Sequence, residues 1–140
     1  MDMQSRDGRA LSTRMRKWIL VADDDPYVRL HIAEILDEAG FDFDTADDGD
    51  EALLMLNDTE PDLLLLDLAM PRMDGWQVIR EVRANPSTRT LPIVVLSDTV
   101  SIPNVMSFGA QANICKPIDA MAMLDILNEV LCKEPVSADR

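Results

Sequence analysis

Only two cysteines, Cys115 and Cys132, occur in the 140 residues. They are too few for a disulfide framework, and neither lies in a CxxC or Cys/His spacing that would suggest zinc. A reducing, cytoplasmic setting is therefore expected. Histidine is scarcer still, and the single His31, beside Val28 and Ile32 at helical spacing, reads as an ordinary helix-flank residue. No apolar stretch approaches the roughly 18 residues needed to span a bilayer. The N-terminal MDMQSRDGRALSTRMRK lacks the apolar centre of a signal peptide. These absences predict a soluble chain that is not exported by that route and has no membrane partner. Positive charge is also short, with 13 basic against 26 acidic residues and a net charge of −13. Five of the bases (Arg6, Arg9, Arg14, Arg16, Lys17) fall in the first 17 residues with two acids, leaving 8 bases against 24 acids and a net −16 on the rest. Such a body repels nucleic-acid phosphates, so nucleic acid is not expected as a partner.

What is present is a repeating pattern. The length suits one domain, large enough to bury roughly two thirds of its unfolded surface. Lys17 to Ala22 (KWILVA) is a short apolar run ending at three aspartates. Pro26 onward places Val28, Ile32, Ile35, Leu36 and Ala39 at helical spacing, with Gly40 as the stop. FDFDTA (41–46) alternates like a strand, and ADDGDEALLMLN reads as a capped helix through Asn57. Leu63–Leu66 is a strand buried on both faces, followed by a helix near Asp74 to Ala84. LPIVVLS (91–97) and QANICK (111–116) are the fourth and fifth strands, and Pro117 opens a last helix with Leu124, Leu127 and Leu131 on one face. The segment DTVSIPNVMSFG between them has little helical periodicity and a central Pro103, so its helix is expected to be one or two turns, or absent. Met121 and Met123 cannot both point inward.

Five βα units imply a doubly wound α/β fold, a parallel sheet with helices on both faces, in the flavodoxin-like order 2-1-3-4-5. In that order ligands bind at the carboxyl edge, at the switch point between strands 1 and 3. The strand-1 aspartates, Asp67, Ser97 and Lys116 all close strands at that edge. Asp25 precedes Pro26 as an N-cap precedes a proline at the first helical position. That leaves Asp23 and Asp24 free for chemistry. Clustered carboxylates repel unless a cation neutralises them, and an all-oxygen site of this kind suits Mg²⁺. A carboxylate can also act as nucleophile and form an aspartyl phosphate, with the Ser97 hydroxyl and the Lys116 ammonium around the phosphoryl oxygens. DTADDGDEALLM imitates a calcium loop, but its third position is Ala46 and its twelfth is Met55 where glutamate is needed, so calcium falls away.

ILVADDDPYVR, LLLLDLAMPRMDGWQVI, PIVVLSD and CKPI, in this order, resemble the signature of response-regulator receiver domains, the phosphorylated units of two-component signalling. The resemblance spans residues 17–132, leaving 1–16 as an expected disordered basic arm and 133–140 as a tail. It implies that Asp67 is the phosphoacceptor and that Asp23 and Asp24 hold Mg²⁺ with the Ala69 carbonyl. It implies too that Ser97 follows the phosphoryl group with Lys116 as cationic partner, and that Lys116-Pro117 is a cis peptide. The partners implied are a histidine kinase or histidine phosphotransfer protein and a downstream protein target. With fewer than a dozen residues after the last helix, a single-domain regulator acting through protein contact is expected.

The chain departs from the family's pattern in three places. Asn113 stands where the family usually has an aromatic residue, Asp98 stands where a small residue is common, and the segment from Ser97 to Lys116 is short. The intact acidic, hydroxyl and lysine set favours a phosphorylation switch that catalyses only its own phosphorylation and slow dephosphorylation. Asn113 and the short segment keep a phosphorylation-independent binding module open. A metal-dependent phosphatase is disfavoured, because Ala69 stands where a DxD motif needs its general acid.

Overall fold

The computed structural model describes residues 16–98 and 105–132. The expectations for the arm before Arg16, for 99–104 and for the tail 133–140 lie outside the described residues. The elements run β1 (Trp18–Ala22), α1 (Pro26–Ala39), β2 (Asp42–Ala46), α2 (Gly49–Asp58), β3 (Leu63–Asp67), α3 (Gly75–Ala84), β4 (Ile93–Ser97), α4 (Val105–Phe108), β5 (Ala112–Cys115) and α5 (Ala120–Cys132). The strands form one parallel sheet in the order β2-β1-β3-β4-β5.

The run of four leucines explains the layering. Successive strand residues point to opposite faces, so Leu64 and Leu66 enter one core with Leu56 of α2 and Val78, Ile79 and Val82 of α3. Leu63 and Leu65 enter the other, with Ile32, Ile35 and Leu36 of α1 and Met123, Leu127 and Val130 of α5. All four leucines are fully buried, and each contributes about 1.5–3 kcal/mol relative to exposure. Only a central strand covered on both faces can absorb such a run. Among the described residues no helix is long and apolar enough to cross a membrane.

Aspartates start the first three helices. Asp25 Oδ1 accepts from Tyr27 N at 2.9 Å, Asp48 Oδ1 from Glu51 N at 2.8 Å, and Asp74 forms a reciprocal capping box with Gln77. Gly40 closes α1 in the left-handed region, φ 90°. Arg16 joins the body rather than the arm: its Nε donates to the Gly40 carbonyl at 2.7 Å and its guanidinium lies 3.6 Å from Asp42.

Three expectations need correction. The last helix does not open at Pro117 but at Ala120, because the Asp119 carboxylate accepts from Ala122 N at 2.9 Å, which makes Asp119 the cap. Its innermost residues are Met123, Leu127 and Val130, with Leu124 and Leu131 only half-buried, while Met121 is exposed. The fifth strand is Ala112–Cys115, so Lys116 stands just beyond it.

The fourth helix is a single turn, α4, too short to hold itself. It is fastened from α3 instead. The Phe108 ring meets Trp76 edge-on at 4.8 Å with Arg80 over its face, and the Arg83 guanidinium donates to the Gly109 carbonyl at 2.7 and 3.1 Å.

The loop after β3 is held by Gly75, whose N–H donates to the Leu68 carbonyl at 2.9 Å. A Cβ there would stand 2.6 Å from the Asp67 carbonyl oxygen and 2.7 Å from Leu68 Cα, both backbone atoms that cannot yield. Gly75→Ala is therefore expected to lose about 1–3 kcal/mol in urea unfolding, and a change within error would show that α3 can shift to admit the methyl group.

Candidate functional site

Sheet register builds the site. Ala22 pairs with Leu66, so the next residues, Asp23 and Asp67, leave the sheet side by side. Asp67 pairs with Leu96, which puts Ser97 one residue further along, and Ser97 pairs with Cys115, which puts Lys116 one residue beyond that. Asp23 is fully buried and held on every side. Its N–H donates to Ala46 O at 3.2 Å, its Oδ1 accepts from Asp25 N at 2.9 Å, and its carbonyl accepts from Arg29 Nη1 at 2.6 Å. Asp67 is 3% exposed.

The Lys116 ammonium bridges the two carboxylates, 2.9 Å from Asp23 Oδ2 and 3.4 Å from Asp67 Oδ1. Asp67 Oδ1 also accepts from Ala69 N at 3.2 Å. Both contacts fall on one oxygen, and among the described residues Oδ2 has no partner. Burial, and then the neighbouring Asp23, push the Asp67 carboxyl up to about 6, against the lowering effect of Lys116 and the Ala69 N–H. Burial works against the Lys116 ammonium, but Asp23 and Asp67 outweigh it and raise its pKa above the ordinary value.

Exposed Asp24 completes a group: carboxylate oxygens of Asp23, Asp24 and Asp67 lie within 4.8 Å of one another. Three acids faced by one ammonium leave the crevice deficient in positive charge. That donor set fits a hard divalent cation.

The family model of the response regulator receiver domain matches residues 19–128. The chain belongs to this family. It is 37% identical over 103 residues to the DNA-binding response regulator MtrA of Mycolicibacterium smegmatis, a match covering 74% of this chain and 45% of MtrA. Among solved structures it is similar to the chemotaxis response regulator CheY4 of Vibrio cholerae, with 28% identity, TM-score 0.78, and 83% of this chain and 99% of that one covered. It is likewise similar to a response regulator receiver protein from Pseudomonas putida, with 30% identity, TM-score 0.76, and coverage of 84% and 99%. The chain thus spans less than half the length of the curated relative it matches.

Within this receiver the predicted residues fall as follows. Asp23, Asp24, Asp67 and Lys116 converge, Ala69 lies in the adjoining loop, and Lys116-Pro117 is cis. Ser97 is buried, and its hydroxyl donates to Asn113 Oδ1 at 2.9 Å. Asp98 is exposed and outside the group of three acids. His31 is exposed on α1, its Nε2 3.1 Å from Ile118 O. Sequence reasoning missed Arg29 as the clamp on Asp23; the signal was an arginine one helical turn after Asp25, where its side chain reaches back over the loop. It also missed Arg72, which has a positive φ of 65° and pairs with the α2 cap Asp48.

A folded-state pKa above the unfolded one means that the protonated form of Asp67 favours the fold. That contribution is complete below its ordinary 3.8 and is lost as pH rises through about 6. Without divalent cations, Asp67→Asn is expected to exceed wild type in stability at pH 8 by on the order of 3 kcal/mol. The gap should close as pH falls from 6 to 4 in urea titrations, and a gap independent of pH would refute the assignment.

Proposed function

We propose that this receiver accepts a phosphoryl group on Asp67 from the phosphohistidine of a histidine kinase or histidine phosphotransfer protein, and passes the signal on by contact with a protein. The observation that carries the reading is the buried Asp23–Lys116–Asp67 bridge at the switch point, with Asp67 Oδ2 unpartnered among the described residues. In the transfer, Oδ2 attacks phosphorus as the P–N bond breaks, and the imidazole nitrogen leaves with that electron pair. Asp23, Asp24, Asp67 and the Ala69 carbonyl would hold Mg²⁺, which supplies charge neutralisation for the phosphoryl oxygens. Lys116 stabilises the same negative charge from the other side, and Ser97 donates to a phosphoryl oxygen.

The acidity of the chain beyond residue 17 favours a protein over nucleic acid as the partner of this unit. DNA binding is a property that MtrA's name carries. The two free cysteines suit a cytoplasmic setting.

A second reading, a binding module independent of phosphorylation, is favoured by two observations: the Ser97 hydroxyl is engaged by Asn113, and α4 is a single turn. Incubation with Mg²⁺ and a small acyl-phosphate donor decides between them. Intact mass is expected to rise by one phosphoryl group, with no rise after Asp67→Asn or chelation. Unmodified wild type, under conditions that phosphorylate another receiver, would favour the module.

Asp98 follows Ser97 and is exposed at the same sheet edge. Its carboxylate repels an anionic donor approaching Asp67, as it does a hydroxide, or the negative charge developing as water attacks the acyl phosphate. Asp98→Ala is expected to speed both phosphorylation and loss of the phosphoryl group several-fold at low salt, in mass-resolved time courses. Unchanged rates would show that the side chain does not face the approach. A further expectation, that phosphorylation mainly orders or shifts residues 98–110, concerns a segment of which 99–104 lie outside the described residues.

A further inference from the structure

We propose that Asn113 is a positioning residue for Ser97, a polar latch that holds the hydroxyl on β5 until a phosphoryl oxygen competes for it. This inference rests on the function proposed above. Asn113 pairs with Val95, and Val95 shares a strand face with Ser97 two residues on, so the Asn113 side chain is the diagonal neighbour of the hydroxyl. The Ser97 Oγ–Asn113 Oδ1 distance of 2.9 Å is that of a well-formed hydrogen bond. Ser97 is 7% exposed, and a buried hydroxyl keeps a partner in every state it occupies.

The backbone beneath the hydroxyl is fixed. The Ser97 carbonyl accepts from Lys116 N at 2.7 Å, and the Leu96 carbonyl accepts from Leu68 N at 3.2 Å. Redirecting the hydroxyl therefore requires rotation about χ1 and no movement of the strand. A phosphoryl group on Asp67 offers charged acceptors, and a charge-assisted hydrogen bond is about twice as strong as a neutral one. The exchange is downhill once the phosphoryl group is in place and uphill before it. Asn113 is only half-buried, so its oxygen can take up water when the hydroxyl leaves. The latch thus opposes the transition state by the strength of the neutral Ser97–Asn113 hydrogen bond.

The test is a double-mutant cycle on the full chain. Asn113→Leu keeps the branching of the side chain and removes the acceptor, and Asn113→Ala only removes atoms, which guards against misfolding. With Mg²⁺ and a small acyl-phosphate donor, either substitution is expected to raise the rate of mass gain about two- to twelvefold over wild type. In a Ser97→Ala background the same substitutions are expected to change nothing, an outcome that a general loosening of β5 would not produce. Equal rates for wild type and both variants, or the same increase without the Ser97 hydroxyl, would overturn the latch. A second readout needs no phosphorylation: Ser97→Ala is expected to shift the Asn113 carboxamide signals in ¹⁵N spectra of the protein free of donor, and unmoved signals would overturn it. Wild type that gains no mass while those signals shift would overturn the proposed function, and with it the release by a phosphoryl oxygen, and leave only the Ser97–Asn113 hydrogen bond standing.

Discussion

One ammonium between two buried carboxylates is the interaction on which the rest of this structure depends. Asp23 and Asp67 are brought together by the pairing of β1 with β3, and neither can retreat, because each is anchored through its own backbone. Moving such charges out of water costs several kcal/mol per ion, and only a partner with good geometry offsets it. Lys116 is that partner, delivered by β5 from two strands away. It can bridge both acids but neutralise only one. Burial, and then the resulting charge deficit, lift Asp67 towards protonation and make the crevice a place where a cation, a proton or a phosphoryl group held by cations is stabilising.

The same backbone that fixes the charges restricts what can move. Hydrogen bonds from Asp23 N to Ala46 O, Leu68 N to Leu96 O and Lys116 N to Ser97 O tie successive strand ends together. Side chains and loops retain freedom. On the far side of β4, α4 is a single turn whose attachment to α3 runs through Phe108 on Trp76 and through Arg83 on the Gly109 carbonyl. The turn is closed by backbone bonds from Gly109 N to Met106 O and from Ala110 N to Val105 O, and Val105 seats it in the core, but a single turn has less local structure to lose on shifting than the longer helices.

Much of this was legible in the sequence because it depends on period and punctuation. Four leucines ending at Asp67 need two covered faces, and five apolar runs alternating with helical spacing leave few topologies. The N-cap Asp25 was readable beside Pro26. The start of the last helix was not, because Pro117 and Ala120 both follow plausible signals, and the Asp119 cap selects the second. The inner face of α5 was ambiguous for a similar reason. Leu124–Leu127–Leu131 and Met123–Leu127–Val130 both recur at helical spacing, and only the position of the sheet chooses between them. Asn113 was visible as an oddity, but its partner lies 16 residues away on another strand, and no local pattern encodes a diagonal contact.

The substitution at 113 also bears on how a signal can leave the site. An aromatic ring that swings inward displaces volume, and close-packed surroundings must rearrange to admit it. Exchange of a hydroxyl between a carboxamide and a phosphoryl oxygen displaces almost none. A receiver that responds by the second route alters its packing little and its charge a great deal, since the phosphoryl group adds negative charge to a crevice already short of cations. Its partner is then best served by reading the electrostatic field at the carboxyl edge of the sheet, where Asp24 and Asp98 are exposed, together with any shift of the single turn α4. On the proposed latch, recognition would then fall at the crevice mouth itself, close to the chemistry rather than remote from it.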